Sequence, residues 1–237
     1  MSRTVGSIFT NGGVFIEYIE CQTGSHQSPI NIDQQPLATT HQPTFEGYDR
    51  VMPGNFFNWD FGPAFTPHHP TDELKDLPSM TFDGQKVFMI GWHIHMPSEH
   101  LVNGTRSRGE IHLVHANEEG EESAVIGIRL EVASREENTP SRFISQLPEG
   151  QFIHYNDTTQ LEGVTINHQL AIEEVGRLER YWTYTGSLTT PPCHEGLRWF
   201  LPEQPLLVSD AQMVQLLAVS RFSHRVTQEI WLHDINL

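Results

Sequence analysis

The sequence predicts a mainly β protein, one domain in which sheet carries the fold and a few short helices lie at its periphery. Runs rich in β-branched and aromatic residues dominate, turn residues punctuate the chain at short intervals, and no repeat or linker divides it. A chain of 237 residues buries about 70 to 75% of its unfolded surface, so one large core across 1–237 is expected. Glycine and proline, 18 and 15 residues, sit near the globular average, which excludes collagen-like and disordered classes.

Residues 86–96 (KVFMIGWHIHM), 110–116 (EIHLVHA) and 123–132 (SAVIGIRLEV) are short β-rich runs, the pattern of strands. Thr139-Pro140 opens a predicted helix over 139–147, with proline at the first helical position. A second helix is expected over 169–178. Strands follow over 197–201 and 206–209. Ser209 with Gln212 then forms a capping-box pattern before an apolar-periodic helix to Val219.

Acidic residues outnumber basic ones 30 to 14, a net charge of −16. Such a field repels phosphate backbones and anionic lipid, which excludes nucleic-acid and membrane-surface partners. No apolar run approaches the roughly 18 residues of a membrane span. The first residues, MSRTVGSIFTNGG, lack the apolar stretch of a signal peptide, leaving an intracellular protein or one whose signal has been removed. Cys21 and Cys193 lie too far apart in sequence for a zinc knuckle, so they are two buried thiols or one long-range disulfide. Glycosylation sequons begin at Asn103 and Asn156, but Asn103-Gly104 is also the favoured hairpin turn and is read first as that.

Five of the 14 histidines fall within 93–115: His93, His95, His100, His112 and His115. His93 and His95 share one face of a strand, roughly 6.6 Å apart along it, and Glu110 and His112 repeat the spacing. With Asn103-Gly104 as a two-residue turn, the hairpin register sets His95 directly against His112, and Pro97 must disturb the pairing between them. Three imidazoles from adjacent strands can converge on one ion and leave a fourth position open, the layout of a catalytic zinc site. Glu110 reads as the carboxylate that fixes a ligand's tautomer. His100 and His115 read as structural or surface residues, as do the loop pair His68 and His69. The same string also describes a cupin with iron or manganese, in which Glu99 would be a ligand and the last histidine would lie on a distant strand.

Several separated motifs then resemble, in the right order, the α-class carbonic anhydrases: C-Q-T-G-S-H-Q-S-P-I-N-I at 21–32, H-x-H and S-E-H within 93–100, E-I-H-L-V-H-A-N at 110–117, and Y-T-G-S-L-T-T-P-P-C-H-E-G-L-R-W at 184–199. The short connection from His95 to Glu99 resembles bacterial, plant and fungal members. The resemblance implies a twisted mixed sheet of about ten strands in one domain, and a zinc enzyme that hydrates carbon dioxide reversibly to bicarbonate and a proton by attack of zinc-bound hydroxide. It implies His93, His95 and His112 as Zn2+ ligands, with Glu110 behind His112. Thr189 would accept from the hydroxide and donate to Glu99, Thr190 would help hold bicarbonate, and Val114, Val125, Leu188, Leu197 and Trp199 would wall the carbon dioxide pocket. Sulfonamides and small anions are the implied inhibitors, and a homodimer is compatible.

Cys21 and Cys193 fall where secreted relatives form a disulfide, which implies a bond worth up to roughly 5 kcal/mol and a secreted, periplasmic or extracellular location. Three positions depart from the family pattern. The usual proton-shuttle histidine is replaced by Asn55, with Asn58 retaining a polar residue nearby, so protons must leave through water chains to buffer or through His68 or His69. Gly91 stands where a glutamine often holds the first ligand, and Thr185 replaces a proline. A carbonic-anhydrase-like storage or binding protein is the non-enzymatic alternative; such proteins usually lose a ligand histidine, and this chain keeps all three.

Overall fold

The computed structural model describes residues 18–36, 40–68, 73–148 and 153–237. In chain order its strands are β1 (Asn31–Ile32), β2 (Thr44–Glu46), β3 (Val51–Asn58), β4 (Pro63–Pro67), β5 (Ser79–Phe82), β6 (Gln85–His95), β7 (Leu101–Val102), β8 (Thr105–Arg106), β9 (Gly109–Ala116), β10 (Glu122–Val132), β11 (Gln160–Asn167), β12 (Tyr181–Ser187), β13 (Glu195–Pro202) and β14 (Leu206–Val208). The helices are α1 (Glu20–Thr23), α2 (Gln169–Glu174) and α3 (Asp210–Val219).

Among the described residues, eleven strands form one mixed sheet along the order β11-β3-β4-β6-β9-β10-β13-β12, with β14 on β10 and β2 joined through β5 to β6. The β10–β13 and β10–β14 pairs are parallel and the other pairs of this sheet antiparallel. Strand β9 lies at the centre, every residue of it buried, because both sheet faces are covered. A large cluster containing Phe56, Trp92, Ile94, Leu113, Ile126 and Phe200 packs one face. A smaller one built on Val125, Tyr184, Leu197 and Trp199 packs the other.

The expected strands over 86–96, 110–116, 123–132, 197–201 and 206–209 all form, and Ser209 and Gln212 close a reciprocal capping box on α3. Two expectations are corrected. The helix over 139–147 shrinks to a 3₁₀ turn, Ile144–Gln146, because Pro148 drives Leu147 into the extended conformation. The helix over 169–178 breaks where Gly176, Arg177 and Leu178 all adopt positive φ.

The hairpin register is also corrected. Asn103-Gly104 does turn a two-residue hairpin, pairing Val102 with Thr105 and Leu101 with Arg106, but within a small separate sheet of β1, β7 and β8. Towards the main sheet the arm through Pro97 advances six residues, from Leu101 back to His95, while its partner advances four, from Arg106 to Glu110. Those two extra residues set His93, not His95, against His112, and His95 against Glu110.

Two more histidines are sealed in the large core. His115 bonds through Nε2 to the Tyr48 hydroxyl, and burial pushes its pKa down to about 4. His168 packs on Phe65 with neither ring nitrogen bonded, and burial pushes it down to about 3. Because the unfolded imidazole titrates near 6.5, each contributes stability that is complete above that pH and is lost as pH falls towards its folded value. Between pH 7.5 and 5 the loss is about 2 kcal/mol from each. Urea unfolding at the two pH values should show the fall, and His168→Phe should reduce it by about 2 kcal/mol; an identical fall in parent and variant would contradict the burial of a neutral His168.

Candidate metal centre

The pleat brings His93 and His95 to one face of β6, and the corrected register brings His112 of β9 beside them. His93 Nε2 and His95 Nε2 stand 3.0 Å apart. One ligand atom from each of the three rings falls within a 4.8 Å cluster. Burial, reinforced by the neighbouring imidazole of His112, pushes His93 down to about 3 and holds His95 well below its ordinary value. His93 and His95 are therefore neutral at pH 7, the state in which imidazole offers a lone pair to a metal.

Two of the three rings are held from behind. His95 Nδ1 donates to the Ser223 carbonyl at 3.1 Å, and His112 Nε2 donates to Glu110 Oε1 at 2.9 Å, leaving Nδ1 of His112 free for the cluster. Glu110 is fully buried and accepts four bonds: from His112, from His100 Nδ1 at 2.6 Å, and from the backbone N–H groups of Glu99 and His100 at 3.0 and 2.9 Å. Burial alone would raise its pKa, but the charges and bonds of His100 and His112 prevail and hold it well below the carboxylate range. His93 lacks such a support among the described residues. Gly91 cannot be the glutamine that would provide one, since a Cβ there would lie 2.8 Å from the Phe65 carbonyl oxygen.

Glu99 sits on the other side of the cluster. Its Oε1 accepts the Arg225 backbone N–H at 2.7 Å. Its buried Oε2 has no hydrogen-bond donor and lies 3.5 Å from His95 Nε2. Burial raises the carboxyl to about 7, and the nearby Thr189 hydroxyl opposes that rise. Three converging imidazoles facing a buried, donor-less carboxylate oxygen fit a cation, and an all-nitrogen, three-residue set fits zinc with a position left open. Glu99 stands beside the group formed by His93, His95 and His112, and those histidines lie on neighbouring strands, contrary to the cupin arrangement.

The apolar wall adjoins the cluster through the sheet itself. Val114, two residues after His112, opposes Val125, which pairs with Trp199. Leu197 belongs to the same cluster, and Leu188 packs against it. Trp199 also places its ring 4.9 Å from that of His112. Opposite His112 only glycine fits at 127, because a Cβ would meet Glu110 Oε1 at 2.9 Å and the Trp199 ring at 3.2 Å.

Thr189 is buried and Thr190 half-buried in the loop after β12, tied down by the Cys21–Cys193 disulfide. A buried relay runs from this loop to the cluster: Ser187 and Ser28 exchange bonds, Ser28 meets the Tyr184 hydroxyl at 2.8 Å, and Tyr184 meets His100 Nε2 at 2.7 Å. His100 is thus structural, as expected. Asn55 and Asn58 face opposite sides of β3. Asn58 is buried, its amide donating to the carbonyls of Ile153 and Val219 while its Oδ1 has no donor. Asn55 shares the cavity face and bonds the exposed His68 through Oδ1···Nε2 at 2.9 Å; His69 lies outside the described residues. Sequence reasoning missed Ser223, Arg225 and Trp59, whose ring stands about 5 Å from those of both His93 and His95. Ser223 and Arg225 act through backbone groups, which leave no signature in side-chain pattern.

Comparison with known proteins agrees with this geometry. The family model described as eukaryotic-type carbonic anhydrase matches residues 15–234. A carbonic anhydrase from Klebsiella pneumoniae is 32% identical over 216 residues, covering 90% of this chain and 77% of its own. Among solved structures, the α-carbonic anhydrase of Photobacterium profundum superposes with a TM-score of 0.75 at 25% identity, covering 92% of each chain. The α-carbonic anhydrase of Thermovibrio ammonificans in complex with the inhibitor sulfanilamide gives 0.72 at 25% identity, covering 92% of this chain and 90% of its own. This chain belongs to the eukaryotic-type, or α-class, carbonic anhydrases, a family of zinc enzymes that hydrate carbon dioxide.

Proposed function

We infer that the chain catalyses the reversible hydration of carbon dioxide to bicarbonate and a proton, that residues 1–237 form one such domain, and that His93, His95 and His112 hold its zinc. The convergence of three imidazoles, two buried and one half-buried, beside an apolar wall carries the reading. Zinc, when bound, supplies a Lewis acid that makes water nucleophilic at neutral pH, carbonic anhydrase being the reference case of that chemistry.

The chain's own residues do the rest. Glu110 and the Ser223 carbonyl fix the tautomers of His112 and His95, so that both present a lone pair. The Thr189 hydroxyl donates to Glu99, which turns its lone pairs towards the cavity and orients the attacking water. Thr190 holds a bicarbonate oxygen. Val114, Val125, Leu188, Leu197 and Trp199 keep water from the side on which carbon dioxide lies. The same open position accepts sulfonamides and small anions. The disulfide between Cys21 and Cys193 supports an oxidising compartment, hence a secreted, periplasmic or extracellular protein. Asn103 and Asn156 are both exposed, and Asn103 with Gly104 occupies a positive-φ turn, as the turn reading requires.

Purified protein should hold about one zinc per chain and hydrate carbon dioxide. His112→Ala should lose more than about 100-fold in zinc retention and abolish hydration. Full activity in that variant would overturn the assignment.

Proton release follows from Asn55. Counting strand spacings from His93 through Ala64 and Phe57 and two residues along β3 puts Asn55 about 12 Å from His93, at the outer part of the cavity face. An amide cannot exchange a proton near neutral pH, whereas imidazole can. With Nε2–H given to Asn55, His68 keeps Nδ1 as the basic nitrogen, exposed to solvent. We assign His68 the transfer from cavity water to buffer. In weakly buffered solution His68→Ala should lower kcat several-fold, leave kcat/KM unchanged, and be restored by added imidazole. Equal kcat in parent and variant would return the role to water chains alone.

A further inference from the structure

A second recess lies apart from the histidine cluster. It is a surface groove of about 610 Å³ between the Pro97 end of β6, the hairpin arm at 106–108 and the end of α3. No carboxylate lines it, while three arginines do: Arg106, Arg108 and Arg221. In a chain with 30 acidic and 14 basic residues, that concentration of one sign is against the average of the surface. Arg106 spends Nη1 on the carbonyls of Ser98 and Glu99 and Nη2 on Thr227, and the buried Glu99 and Glu110 act on its charge. Arg108 and Arg221 have no ion-pair partner among the described residues. The guanidinium of Arg221 is held instead over the rings of Phe61 and Tyr155, at 5.8 and 5.0 Å, which fixes its direction without neutralising it.

The groove is also apolar. Leu217 and Phe222, which line it, are 48% and 72% exposed. A volume of this order matches the sites that enclose small organic ligands. Charge complementarity selects an anion, and the exposed leucine and phenylalanine select an apolar body attached to it. We propose that this groove binds an amphipathic organic monocarboxylate, its carboxylate on Arg108 and Arg221 and its hydrocarbon chain along Leu217 and Phe222. A guanidinium recognises a planar carboxylate in two-point fashion, which an alcohol or a lone inorganic anion cannot reproduce together with the apolar contact.

The site stands independently of the histidine cluster, so its test must keep the two apart. Decanoate is titrated calorimetrically into the zinc-loaded protein, with and without saturating sulfanilamide. One decanoate per chain should bind in both conditions, while decanol and acetate bind at least tenfold more weakly. The double variant Arg108→Ala/Arg221→Ala should weaken decanoate at least tenfold, leave carbon dioxide hydration unchanged, and fold with the parent's circular dichroism spectrum. Phe222→Ser should weaken decanoate without affecting acetate. Absence of decanoate binding in the parent, equal affinity for decanol, equal affinity in the double variant, or displacement of decanoate by sulfanilamide would each overturn the proposal. Failure of sulfanilamide to bind would instead count against the zinc reading and leave the decanoate comparison intact.

Discussion

Glu110 is a carboxylate with no solvent exposure, and leaving such a charge without partners costs several kcal/mol. The structure therefore has to surround it with donors, and much of the site follows from how it does so. Its two oxygens take up His112, His100 and two successive backbone N–H groups. The backbone pair requires the chain after Pro97 to fold back over β9, which is where the two extra residues of that arm are used. The His112 bond presents one ring nitrogen to the cluster. The His100 bond continues through Tyr184 and Ser28 to Ser187, so the loop carrying Thr189 hangs from the same carboxylate. Gly127 is the space this arrangement needs on the neighbouring strand.

A second constraint comes from the C-terminal segment, which has little regular structure yet supports the cluster from below. Ser223 and Arg225, two residues apart, direct a carbonyl to His95 and an N–H to Glu99. The Arg225 side chain reaches the carbonyls of Ser28 and Cys21, joining this segment to the disulfide-bonded N-terminal region. Gln27 adds a bond to the Cys193 carbonyl at 3.1 Å. The disulfide, the loop after β12 and the C-terminal segment are thereby cross-linked around one side of the cavity, and rigid support of this kind is what keeps ligands within the narrow geometry a metal requires.

How much of this the amino-acid string disclosed depends on where the burial lies. Strands β9 and β10 were legible because EIHLVHA and SAVIGIRLEV are rich in valine, isoleucine and leucine. The histidine cluster and Glu110 were legible through their spacing, and the disulfide through family resemblance. Strands β3 and β4 were not anticipated, as Pro53, Pro63 and Pro67 interrupt their pattern, and β11 exposes half of its residues and buries only one. The register was misjudged by two residues because a turn fixes only the pairs next to it, and the irregular segment at Pro97 intervenes before the histidines. The proximity of His68 to Asn55 depends on the pairing of β3 with β4, which no local signal carries.

The central claim is that Glu110 sets the tautomer of His112 and thereby its metal-binding nitrogen. Nitrogen-15 NMR of the purified protein with labelled histidine reads this directly. The account predicts a proton on Nε2 of His112, in slow exchange with solvent, and an unprotonated Nδ1. A proton on Nδ1 with a bare Nε2 would contradict it.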